Sequence, residues 1–186
     1  INNRYQAQER VGNGGMSIVY RGYDTVSDKP IAIKLLREAY CTDSKMTQRF
    51  LDNAARASRV HHPNIIEVYD WGQMGSTFYT IMELGGQSLR DYIQAKKLQE
   101  KDIAPITYNV VQGLEAIHTS NLIYHNLSTK KILIDGSIKL AMVTTDPHLG
   151  HAPYYSESPP LTTLTDIRAL MNILHEICES FPNHHA

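Results

Sequence analysis

Two short stretches carry residues whose types and spacing could do chemistry. In VGNGGMSIVY, residues 11–20, Gly12 and Gly14 form a G-x-G turn, with Ser17 where a third glycine would fall. A dinucleotide-binding turn has similar spacing but opens a helix, whereas here Ile18, Val19 and Tyr20 continue as a strand. Lys34 follows in the run KPIAIKLL. It reads either as a contact for an anionic group or as a surface lysine whose stem packs on a strand. The second stretch, NLIYHNLSTKKILI over residues 121–134, sets a polar turn between two apolar runs. Its Lys131 could offer an ammonium to an anionic group. Such a pair at about 4 Å is worth up to a few kcal/mol before screening and desolvation. The alternative is a solvated lysine beside Lys130.

The elements that must position these residues follow from pattern. RYQAQERV and SIVYRGYD flank the glycine turn and, with KPIAIKLL, predict a small antiparallel sheet. TDSKMTQRFLDNAARASRV places Met46, Phe50, Ala54, Ala57 and Val60 at helical spacing, with Asp43 or Ser44 as N-cap and Pro63 as terminator. NIIEVYDWG and STFYTIMEL predict two more strands, completing a five-stranded sheet with one helix. From Gly85 onward the character changes. SLRDYIQAKKL predicts a short helix, and DIAPITYNVVQGLEAIHTS a longer one capped by Asp102, with Ile106, Val110, Leu114 and Ile117 on one face. LIY, KILI and SIKLAM predict short strands, the last two joined at Asp135-Gly136. TDIRALMNILHEICESF predicts a final amphipathic helix. The expected fold class is α+β, with a strand-rich lobe over residues 1–84 and a mostly helical, partial lobe over residues 85–186 that ends after the helix at about 165–181.

Composition narrows the function classes. The chain has 186 residues, 42% of them hydrophobic, enough to bury a core and too many for a disordered segment. Eighteen basic residues against nineteen acidic ones leave a formal net charge of -1, which argues against nucleic acid as a partner. Cys41 and Cys178 are far apart and without metal-type spacing, as expected of reduced thiols in a cytoplasmic setting. No apolar run approaches the roughly 18 residues a spanning helix needs. The chain opens on Ile1 rather than Met, which fits the cytosolic piece of a longer polypeptide whose other segments could include a membrane anchor.

Taken together, the glycine turn continuing as a strand, Lys34 on the next strand, HHPNII after the long helix, IMEL as a hinge, and IKLAMVT after the polar turn resemble a bacterial, eukaryotic-like (Hanks-type) Ser/Thr protein kinase domain from residue 5 to about residue 181. The resemblance implies a two-lobe fold with an ATP cleft. By it Gly12, Gly14, Val19, Ala32 and Lys34 line the nucleotide, Met82 is the gatekeeper, Glu83 and Leu84 offer hinge backbone, and Leu133 is the floor. It also implies that Asp166 braces the backbone of the catalytic loop, and that further helices of the larger lobe would cover apolar surface that must here be repacked or buried elsewhere.

The resemblance fails at the working positions. Asn53 stands where a helix glutamate would pair with Lys34, and Asp52 is one residue away, about 100° around the helix. The family's H-R-D-L-K-P-x-N aligns with Tyr124, His125, Asn126, Leu127, Ser128, Thr129, Lys130 and Lys131, and D-F-G with Met142, Val143 and Thr144. Asn126 has no carboxylate to accept a proton, a loss of about 10² to 10⁴ in rate. Ser128 replaces a lysine that steadies the phosphate, and neither Lys131 nor Met142 supplies an oxygen ligand for magnesium. The expectation is therefore a pseudokinase, not an enzyme, with no metal and no cofactor, or with ATP bound without magnesium. Its expected role is a scaffold for a protein partner: an active kinase, a phospho-reader, another domain of the parent chain or a second copy. The alternatives are a nucleotide sensor and a residual Ser/Thr phosphotransferase. The pairs Thr144-Thr145, Tyr154-Tyr155 and Thr162-Thr163 are candidate phosphate acceptors.

Overall fold

The computed structural model describes residues 1–125, 127–141 and 162–181. Asn126, Met142, Val143, Thr144, Thr145, Tyr154 and Tyr155 lie outside the described residues. The chain divides into two compact units, residues 1–61 with 66–84, and residues 62–65 with the chain from 85 onward. The fold is α+β.

In the first unit, β1 (Tyr5–Asn13), β2 (Ser17–Asp24), β3 (Lys29–Leu36), β4 (Val68–Met74) and β5 (Thr77–Glu83) form one antiparallel sheet in the order β1-β2-β3-β5-β4. Alternation along β3 sends Ile31, Ile33 and Leu35 to one face, where they pack with Tyr5, Tyr79 and Ile81. The other face carries Leu36 and Phe78, covered by Phe50 of α2 (Ser44–Ala57). Asp43 caps α2, accepting from the backbone N–H of Lys45 at 2.9 Å and of Met46 at 3.2 Å. A four-residue helix, α1 (Glu38–Cys41), precedes it, so this unit holds two helices where pattern predicted one. Nor does α2 run on to Pro63. It closes at Ala57 because the N–H groups of Arg59 and Val60 turn back to Arg56 O and Ala57 O, three residues behind them.

The second unit is built on α3 (Leu89–Gln94), α4 (Glu100–Thr119) and α5 (Thr163–Glu179), with a small sheet of β6 (Gln87–Ser88), β7 (Ile132–Asp135) and β8 (Ser137–Leu140). The predicted face of α4 is buried: Ile106, Val110, Leu114 and Ile117. Its N-cap is Gln99, not Asp102. Asp102 sits three residues in and accepts from the Gln99 N–H at 2.9 Å, closing a capping box. Residues 62–65 join this unit through Asn64, whose Nδ2 donates to Ile138 O at 2.9 Å and Asn109 Oδ1 at 2.6 Å. Leu164, Ile167 and Met171 on α5 are exposed.

Residues 122–124 do not form the predicted strand. The Tyr124 N–H is taken by a side chain, Asp166, instead of a neighbouring strand. The missing strand partner is β6, two residues that pair Gln87 with Ile134 and Ser88 with Leu133. The close approach there explains Gly86: a Cβ on it would lie 2.1 Å from Ile134 O. Gly86→Ala should therefore force β6 away from β7 and cost about 1–3 kcal/mol in urea unfolding. Wild-type stability in that variant would refute the close-packing account.

Candidate functional site

Sheet register assembles most of the nucleotide-binding candidates on one face of the first unit. Directly opposed residues of antiparallel strands share a face. The opposed pairs run Gly12 to Val19, Val19 to Lys34, Lys34 to Thr80 and Thr80 to Trp71. A second row runs Arg21, Ala32, Met82 and Val68. Gly12, Val19, Ala32, Lys34 and Met82 thus lie together, on the face that α2 also packs against. Ala32 and Met82 are buried, and Val19 and Lys34 are half-buried. The Lys34 Nζ is 5.8 Å from the centroid of the Phe50 ring.

The glycine turn is held from outside. Gly14 N–H donates to Ser17 O at 2.9 Å, and Arg37 donates through Nε and Nη2 to Gly14 O at 3.1 and 3.0 Å. Arg37 also donates to Asn13 Oδ1, and its own N–H reaches Met16 O at 2.8 Å. Sequence reasoning missed Arg37, since one arginine after a strand has no spacing signal. At the hinge, the Glu83 N–H already donates to Glu67 O at 2.8 Å, so that group is not a ligand donor. Leu84 ends the first unit.

Asn53 is buried on the inner face of α2, three residues after Phe50. Asp52 points elsewhere: it is half-buried and accepts from Gln48 Nε2 at 2.8 Å. Asn53, not Asp52, therefore occupies the inner position.

In the second unit the polar turn is organised by Asp166, which has no exposed surface. Its carboxylate accepts from Tyr124 N at 2.8 Å and His125 N at 2.9 Å, and His118 Nε2 lies 2.8 Å from Oδ2. The brace expected at Asp166 is present. His118, which sequence reasoning missed, shares it. His125 has φ +70°, a conformation rare for a side chain of its size, immediately before Asn126. Tyr124 is fully buried and donates through its hydroxyl to Ala141 O at 3.0 Å; burial raises its pKa, so it stays a neutral donor. Ser128 is buried, and Thr129–Lys131 form a turn of 3-10 helix whose Lys131 N–H donates to Ser128 O at 2.8 Å. Leu133, on β7, is half-buried and pairs with Ser88 and Lys139.

Lys131 is half-buried, and burial pushes its pKa below the ordinary 10.5. An ammonium donates hydrogen bonds and repels cations, so the position of Lys131 does not fit magnesium. Among the described residues, no cluster of three or more His, Cys, Asp or Glu side chains could hold a metal ion.

The protein kinase domain model matches residues 5–163. The chain belongs to the protein kinase family. It is 32% identical over 197 residues to serine/threonine-protein kinase PrkC of Bacillus subtilis, covering 95% of this chain and 30% of that protein. To serine/threonine-protein kinase PknL of Mycobacterium tuberculosis it is 32% identical over 145 residues, 76% of this chain and 36% of that one. A probable serine/threonine-protein kinase of Clostridium acetobutylicum is 26% identical over 95% of this chain. The chain spans about a third of the length of PrkC and PknL. Among the described residues, no helix is long and apolar enough to cross a membrane.

These matches overturn the expectation that the chain is not an enzyme. The relatives are named as kinases, and the kinase model matches most of the chain. The physical error was to treat substitutions that each lower a rate as though together they abolished it. Losses among residues that act as a unit do not add, and binding and positioning leave residual catalysis.

Two variants test the second unit. Asp166→Ala leaves buried N–H groups without an acceptor, at about 1–3 kcal/mol each in urea unfolding; a loss below about 0.5 kcal/mol would show the brace to be unimportant. For Lys131, the folded pKa lies below the unfolded value, so between them the unfolded chain holds the extra proton and stability rises with pH. Lys131→Met should therefore be more stable than wild type at pH 7, by a margin that shrinks as pH approaches 10.5. A margin independent of pH would contradict the lowered pKa.

Proposed function

We propose that this chain is the nucleotide-binding and phosphotransfer part of a Ser/Thr protein kinase, and that it works slowly. The observation that carries the reading is the cross-strand row Gly12, Val19, Lys34, with Ala32 and Met82 in the next row. Apolar side chains beside one cation suit a flat base with a phosphate tail. Membership of the kinase family and the names of the relatives support the same reading.

In the transfer, the substrate hydroxyl oxygen bonds to the γ-phosphorus of ATP as the bridging bond to the β-phosphate breaks. ADP leaves, and the hydroxyl proton passes to water or to the transferred phosphate. Lys34 neutralises phosphate charge, the contribution on which such reactions chiefly depend. Asn126 can orient a hydroxyl by hydrogen bonding but is no base at neutral pH, which accounts for a low rate.

Incubation with γ-labelled ATP and a Ser/Thr-rich protein substrate tests this. Wild type should incorporate label slowly, Lys34→Ala should lose incorporation, and Asn126→Asp should raise it by about 10² or more. No label from wild type and Asn126→Asp alike, or incorporation indifferent to Lys34, would overturn it.

A further inference from the structure

Thr80 has a functional group that the proposed transfer leaves unused. Its side chain has no accessible surface, and among the described residues its Oγ1 has no hydrogen-bond partner. A buried hydroxyl in that state is costly, and folded proteins keep few of them. Register makes Thr80 the direct cross-strand neighbour of Lys34, and Cβ atoms in that relation are about 4.5–5.5 Å apart on one face. The Lys34 ammonium, 5.8 Å from the Phe50 ring centroid, ends a flexible four-carbon stem. From the helix that covers this face, the buried side chains are Thr47, Phe50, Asn53, Ala54 and Ala57, with no carboxylate among them.

We infer that Thr80 is a positioning residue for Lys34: when a nucleotide binds, the flexible stem brings the ammonium to Thr80, whose hydroxyl oxygen accepts one of its N–H groups and sets the direction of the side chain toward a phosphate. The inference rests on Lys34 being the phosphate contact. An ammonium has three N–H donors, so one bond to Thr80 does not exhaust it. A neutral acceptor differs from a carboxylate in one useful respect. It fixes direction without neutralising charge. The site then needs no acidic residue from α2, and the buried amide of Asn53 ceases to be a defect there.

The test is calorimetric titration with ATP of wild type, Thr80→Val, Thr80→Ser, Lys34→Ala and the double variant Thr80→Val with Lys34→Ala. Valine fills the same shape and removes an unpaired hydroxyl, so Thr80→Val is expected to fold. It should bind ATP about 3- to 10-fold more weakly than wild type, the worth of one hydrogen bond. Thr80→Ser, which keeps the hydroxyl, should recover wild-type affinity. The double variant should bind no more weakly than Lys34→Ala alone, because the two residues act through one contact. Unchanged affinity in Thr80→Val, no recovery in Thr80→Ser, or losses that add in the double variant, with Lys34→Ala still weakening binding, would sink this inference alone. ATP that fails to bind wild type, or binds Lys34→Ala equally well, would take the phosphate reading and this inference down together.

Discussion

A carboxylate with no accessible surface is tolerable only where hydrogen bonds replace its hydration, and Asp166 is such a group. It lies in the first turn of α5, where the helix dipole favours negative charge. There it accepts from the backbone of Tyr124 and His125 and sits beside His118. The arrangement in which Nε2–H of His118 donates satisfies both side chains. One consequence is local. Backbone that would otherwise pair as a strand is tied to a side chain, and His125 is held at positive φ by a residue about 40 positions later. Unfavourable backbone of this kind persists only where its surroundings over-determine it.

The first unit is governed by a different constraint, strand register. Because side chains alternate, a slip of one residue in β3 would send Lys34 and Ala32 to the Ile31 and Ile33 face and bury a cation among tyrosines and isoleucines. The apolar face therefore locks the polar one. Ile31, Ile33 and Ile81 have no accessible surface, and their burial opposes any slip. The rows that hold the nucleotide candidates are thus maintained by residues that touch no ligand.

Much of this was legible in sequence because the signals were local. The bounds of β2 and β3 fall where alternation and the β-branched run put them, and Asp43 caps α2 as its type and position require. What sequence could not show depends on distant partners. Residues 122–124 look like a strand until Asp166 claims the Tyr124 N–H. The two residues of β6 are too few for any periodicity. Arg37 and Thr80 are ordinary in type, and only the fold sets one on Gly14 O and the other opposite Lys34. The lowered pKa of Lys131 likewise has no counterpart in the charge pattern of its neighbours.

The working positions teach a separate lesson about reading chemistry from residue types. A lost carboxylate removes one contribution to a rate, while in the proposed reading binding and orientation come from the register of a sheet and from a turn braced by Asp166, neither of which depends on that carboxylate. Scaffold and reactive group are separable in energy as well as in sequence. A chain can therefore keep the expensive part, a positioned cation on an apolar face, after exchanging the part that single substitutions reach most easily. In such a chain the residues that repay attention are the neutral ones beside the charges. In a dry environment a well-placed hydroxyl or amide can aim a charge without cancelling it.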